Sequence, residues 1–184
     1  MNIALTLITA FVTGALTKIV DLHHDNNLKL PYNLNMILGG FYGFLIALLI
    51  SFVPEVAPLW IGGIIGVVAL RKIDAEGHYV GLASTLFFVS LFGIPELNTF
   101  FLAAFTIFSC FDEFFASKQG ESLVKNKHLK KILSLRPFLE VSALIISVFT
   151  GVWVIWLSIL LFDIAYILAD RFGQKHVKIE WVEI

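Results

Sequence analysis

The chemically capable residues of this 184-residue chain are acids spaced four apart, with imidazoles beside them. Asp21 and Asp25 share a face if the helix that precedes them continues, and His24 sits alongside. Two carboxylates so placed suit a hard cation such as Mg²⁺, which in turn holds phosphate oxygens. Asp74 and His78 repeat the spacing, with an imidazole replacing one carboxylate. That change suits a softer metal or a proton carrier. Asp112 and Glu113 end a later apolar run. Neighbours on a helix point about 100° apart, so one of them is expected to face the bundle, and Asp112 is favoured. Asp21, Asp25, Asp74 and Asp112 form the expected metal set, with His78 and His24 as acid or base. Each cluster also reads as solvated charge at an interfacial helix end.

Asp163 is more telling, because it interrupts an apolar run about seven residues, or ~10 Å of helix rise, from its polar end. An ionised carboxylate there is costly, so it should face the bundle interior with a partner. Tyr166 and Asp170 follow on the same face. The row suits proton transfer, cation binding or completion of a metal site, and equally a neutral Asp163 used in packing. Arg136 and Glu140 are four apart. They suit an intrahelical pair, or Arg136 forms a fork for a lipid phosphate. Lys72, Arg136 and Asp170 are the expected substrate contacts, and Asp163 joins the catalytic group.

Long apolar runs carry these residues. Hydrophobic residues make up 58% of the chain and charged residues 15%, against roughly half and a quarter in soluble domains. The runs cover about Ile3–Val20, Asn35–Val53, Ala57–Leu70, Tyr79–Gly93, Thr99–Phe111 (continuing amphipathically to Ser117), Leu133–Gly151 and Val152–Ala169. The expected fold is all-α: a single polytopic membrane bundle over residues 1–184 with about seven spans. The third and fourth runs are short enough to form one re-entrant pair instead. The N-terminus lacks the basic region and cleavage pattern of a secretory signal, so the first run is read as a retained span. The single cysteine, Cys110, excludes an intrachain disulfide framework and reads as a packing residue. A net charge of −1 gives no reason to expect a nucleic-acid partner.

Seven alternating spans put all 13 Lys and Arg residues and all five His on one side. The positive-inside rule makes that side cytoplasmic and the N-terminus external. The outer turns hold only Glu55 and Glu96 as charges. The stretch from Lys118 to Lys131 reads as a basic, mobile loop. Gly39-x-x-x-Gly43 and Gly62-x-x-x-Gly66 invite close helix approach. Thr6, Thr9, Thr13 and Thr17 form a stripe that serves helix packing or lines a polar path. A weak repeat pairs Lys18-Ile19-Val20-Asp21 with Lys72-Ile73-Asp74, each followed by a helix ending in Pro-Glu.

The segments Asp21-Leu22-His23-His24-Asp25 and Ile73-Asp74-Ala75-Glu76-Gly77-His78-Tyr79 resemble the aspartate-rich motifs of UbiA-type intramembrane prenyltransferases. The likeness extends through Val80-Gly81-Leu82-Ala83-Ser84-Thr85-Leu86 and covers about thirty residues. It implies Mg²⁺ and a prenyl diphosphate held on the cytoplasmic side. His78 stands where that family has Asp, and the chain is shorter than its roughly nine-helix fold.

Three function classes follow. The favoured one is a Mg²⁺-dependent intramembrane enzyme acting on a polyprenyl or glycerolipid phosphate or diphosphate at the cytoplasmic leaflet. The second is a cation- or proton-coupled transporter or channel, suggested by the Thr stripe, Asp163, Glu140 and the repeat. The third is a scaffold whose basic loop binds anionic lipid or a partner. A homo-oligomer is compatible with all three.

Overall fold

The computed structural model describes residues 1–25, 33–73, 75–133 and 135–180, excepting the side chains of Asp25 and residues 175–180. The described residues form nine helices and no strand: α1 (Ile3–Asp25), α2 (Leu34–Phe52), α3 (Ala57–Ala69), α4 (Glu76–Phe92), α5 (Thr99–Phe115), α6 (Lys118–Leu123), α7 (Lys127–Leu133), α8 (Pro137–Thr150) and α9 (Val154–Glu180).

Among the described residues, two helices are long and apolar enough to cross a membrane, Ile3–His24 and Leu34–Phe52, or up to three if the bent pair α7–α8 counts as one span. The 13-residue α3 is apolar but short. The 27-residue α9 carries Asp163, Asp170 and Arg171 in its first five turns. Large apolar side chains point outward, among them Phe149 at 86% exposure and Phe100 at 72%. Exposed apolar surface on that scale calls for an apolar cover.

Sequential neighbours close a ring: α1 packs on α2, α2 on α3, α3 on α5, α5 on α8, α8 on α9, and α9 on α1. The fourth helix packs along α2 and touches α1. Small residues make the tightest seams, because without a Cβ the backbones meet directly. A Cβ at Gly39 or Gly43 would strike the backbone of Gly77 or Gly81 on α4. Polar glue completes that seam: Ser84 Oγ donates to the Gly40 carbonyl at 2.7 Å and Thr85 Oγ1 to the Gly43 carbonyl at 3.0 Å. Gly62 and Gly66 admit Phe105 and Ser109 of α5 in the same way. The threonine stripe is buried at Thr6, Thr9 and Thr13. Thr13 and Thr17 return their hydroxyls to the carbonyls four residues back, at 2.7 and 2.9 Å. That bonding matches the packing role.

Three expected elements differ. The run from Leu133 to Gly151 breaks, with α7 and α8 inclined at 65°. Pro137 is the first residue of α8, and proline disfavours helical geometry in the residue before it. Arg136 leaves the helix with left-handed backbone, φ 54°. The basic stretch 118–131 is largely helical rather than a loop. Ser117 Oγ accepts from Gly120 N at 3.2 Å to cap α6, and Asn126 Oδ1 accepts from His128 N at 2.9 Å at the start of α7. The last helix runs on past Ala169 to Glu180, through what reads as a charged tail.

Candidate functional site

A cavity of about 450 Å³ lies within the ring, and α1, α2, α3, α4, α5, α8 and α9 all contribute to it. Its apolar wall includes Ile46, Leu59, Trp60, Ile64, Ile159 and Phe162. Two polar groups of side chains meet inside it.

The first group is centred on Asp21, in the last turns of α1. His78, in the first turn of α4, places Nε2 2.6 Å from Asp21 Oδ1. Its Nδ1 lies 2.8 Å from the Tyr42 hydroxyl of α2. From α9, the Tyr166 hydroxyl donates to Asp21 Oδ2 at 2.5 Å. The fold positions each member. The glycine seam brings α4 against α2, and a Cβ at Gly81 would collide with the Tyr42 phenol. Gly14 lets α1 approach the Phe162 backbone of α9. Lys18 lies 4.8 Å above the Tyr166 ring and pairs with Asp170 at 3.1 Å. The network thus ties α9, α1, α4 and α2 together.

The second group lies on α5, α8 and α9. Asp112 Oδ1 and Oδ2 accept from Phe138 N and Leu139 N at 2.8 and 2.7 Å. Those are the second and third residues of α8, whose N–H groups a helix cap normally satisfies. Arg136, at the cap position, has no acceptor, so Asp112 does this from α5. Glu113 Oε1 pairs with Arg136 Nη1 at 3.0 Å, while its buried Oε2 has no partner. Both acids are therefore buried, not one of the two. The start of α8 lies against Asp112 and the preceding Arg136 against Glu113, so both directions are covered. Arg136 reaches Glu113 rather than Glu140, because left-handed backbone takes it off the α8 face that Glu140 occupies. Glu140 and Asp163 line the cavity and make no hydrogen bond or ion pair among the described residues. Glu140, Asp112 and Arg136 act on Asp163 electrostatically. Asp163 thus faces the interior as expected, but without the expected side-chain partner.

Of the expected site residues, Asp21, Lys72, His78, Asp112, Arg136 and Asp163 line this one cavity. His24 is exposed and does not line it, although three positions from Asp21 is close to the same helix face. Asp170 also stays out of it, paired with Lys18 and accepting from Gln174 Nε2 at 2.9 Å. Asp74 and the side chain of Asp25 lie outside the described residues. Tyr42 and Trp60 join the site without having been singled out by spacing, and Glu113, weighed there but ranked behind Asp112, joins it too. Tyr42 is the one side chain between Gly39 and Gly43 that carries a hydroxyl.

Among the described residues, no three His, Cys, Asp or Glu side chains come together in a way that could hold a metal ion. Each Asp21 oxygen already accepts a hydrogen bond or faces an imidazole nitrogen, and both Asp112 oxygens serve α8. Mg²⁺ commonly takes only one or two carboxylates and completes its shell with substrate phosphates and water. That mode is within reach of Asp21, whose carboxylate has further lone pairs. A fully protein-made cage is not offered by the described residues. No family model matches the sequence, and no curated protein or solved structure matches it either.

Proposed function

We propose that this chain is a polytopic membrane enzyme that acts on a lipid phosphate or diphosphate, of polyprenyl or glycerolipid type, at its cytoplasmic face. The apolar exterior supports a bundle that crosses the bilayer about seven times with the charged loops inside. One observation carries the functional reading. One cavity joins an apolar wall to an acid–imidazole pair, Asp21–His78, and to two basic side chains, Lys72 and Arg136. Such a cavity suits a ligand that is apolar at one end and ionic at the other.

In this reading Lys72 and the half-exposed Arg136 guanidinium hold phosphate oxygens. His78 moves the proton, with Asp21 fixing the ring and Tyr42 on its other nitrogen. Tyr166 keeps Asp21 oriented. Asp21 and Asp74 are the protein carboxylates that would hold a Mg²⁺ ion shared with the substrate's phosphate. When bound, it would neutralise charge on the leaving group. The resemblance to intramembrane prenyltransferases points to the same ligand chemistry.

The test is Mg²⁺-dependent turnover of a polyprenyl or glycerolipid phosphate by purified protein in liposomes. Asp21→Ala and His78→Ala should each abolish it. Full turnover in both variants would reject the assignment. Cation or proton transport is the second reading, favoured by Asp163 and Glu140 facing the cavity unpaired. Ion flux into liposomes that disappears in Asp163→Asn would select it.

A further inference from the structure

The stretch from Lys118 to Leu133 holds five lysines against one acid, Glu121. None of its residues lines the cavity. The stretch is held to the bundle at both ends. Gly120 lies against the backbone of Phe114 and Phe115, where a Cβ would collide, and Leu133 is buried. Between these points α7 divides into two faces. Lys127, Lys130 and Lys131 stand three and four positions apart on one, and Leu129, Ile132 and Leu133 do so on the other. Leu133 turns into the protein, whereas Leu129 and Ile132 are 46% and 53% exposed, and Leu123 of α6 is 68% exposed. Exposed leucine and isoleucine backed by lysine is the pattern of a helix that lies in a membrane surface.

The direction of α7 agrees. Val141, Ile145, Val148 and Phe149 make an exposed apolar stripe along α8 at helical spacing. That stripe meets acyl chains where α8 crosses the bilayer. The 65° bend then leaves α7 running closer to the membrane plane than to its normal.

We propose that α7, with Leu123 beside it, lies in the cytoplasmic leaflet and binds anionic lipid. Leu129 and Ile132 enter the acyl layer, and Lys125, Lys127 and Lys130 meet the phosphate headgroups. Charge decides the occupant, because the cytoplasmic leaflet carries the negative potential that attracts such a segment. Lysine stems are long enough to lie along apolar surface while their ammonium groups stay among the headgroups. The proposal needs the membrane topology proposed above but not the lipid-phosphate chemistry of the cavity.

The test uses the full chain in a Cys110→Ser background, with Ile132→Cys or Lys127→Cys labelled by nitrobenzoxadiazole. The protein is placed in nanodiscs of four parts phosphatidylcholine to one part phosphatidylglycerol, with bromine on the acyl chains of one lipid or the other. Brominated lipid should quench the label at position 132 strongly and the label at 127 weakly. At 132 phosphatidylglycerol should quench as if enriched about fivefold over its share of the bilayer, the factor that one lysine near an anionic surface supplies. The enrichment should vanish when Lys125→Gln, Lys127→Gln and Lys130→Gln are combined. It should also vanish in about 1 M NaCl, where the screening length falls to ~3 Å. Equally weak quenching at both positions overturns the proposal, and so does quenching by phosphatidylglycerol in proportion to its share. A label at 132 shielded from brominated lipid and from aqueous iodide alike means that another protein surface covers α7, which overturns it too. No readout here depends on turnover, so each failure leaves the enzyme reading where it stands.

Discussion

Replacing Asp112 by alanine separates a structural carboxylate from a metal ligand. Both of its oxygens accept from α8 N–H groups, at 2.8 and 2.7 Å, and the residue is buried. A cap substitution by alanine costs ~0.5–2 kcal/mol at ordinary sites. Here two N–H groups would lose an ionised acceptor inside the protein, and each such loss is worth ~1–3 kcal/mol. Relief of repulsion with Glu113 and Asp163 offsets part of this. The net expectation is a loss of ~2–4 kcal/mol. Asp112→Asn keeps one acceptor oxygen and should lose about half as much. Glu113→Gln removes a pair whose Arg136 side chain is 52% exposed, so it should cost below ~1 kcal/mol. Unfolding by sodium dodecyl sulfate in mixed micelles, followed by tryptophan fluorescence, gives all three values. The reasoning fails if Asp112→Ala is no worse than Glu113→Gln. It also fails if Mg²⁺ stabilises the wild type and the stabilisation is lost specifically in Asp112→Asn.

Three further outcomes are expected. Tyr166→Phe removes the 2.5 Å donor to Asp21 and should destabilise by ~1–3 kcal/mol while lowering turnover; an unchanged unfolding curve would contradict the network. Gly43→Ala puts a methyl into the Gly81 backbone and should cost ~1–3 kcal/mol, whereas Gly40→Ala meets only Val80 at 3.7 Å and should be near neutral. In a Cys110→Ser background, Lys125→Cys should react with a membrane-impermeant maleimide only from the cytoplasmic side and Glu96→Cys only from outside. Labelling from the same side would refute the seven-span topology.

Features written in local spacing were the readable ones. Apolar run lengths gave most helix positions, the two GxxxG segments marked real seams, and Asp163 drew attention by interrupting an apolar helix. What the sequence hid depends on contacts between distant segments. Asp21 pairs with His78 and Tyr166, 57 and 145 positions away, although its visible neighbours were His24 and Asp25. The capping role of Asp112 could not be read from α5, because the helix it serves begins 25 residues later. Pro137 was visible, but not the left-handed backbone of the residue before it or the pairing of Arg136 with Glu113. Periodicity alone assigned one interior direction to the end of α5, while the returning chain made two.

An experimental structure with a bound short-chain lipid phosphate tests the central claim most directly. The account predicts the phosphate inside the cavity, between Lys72 and Arg136 and within reach of His78, with the acyl chain along Trp60 and Phe162. A phosphate lodged only on the outer surface, with the cavity filled by side chains, would contradict it.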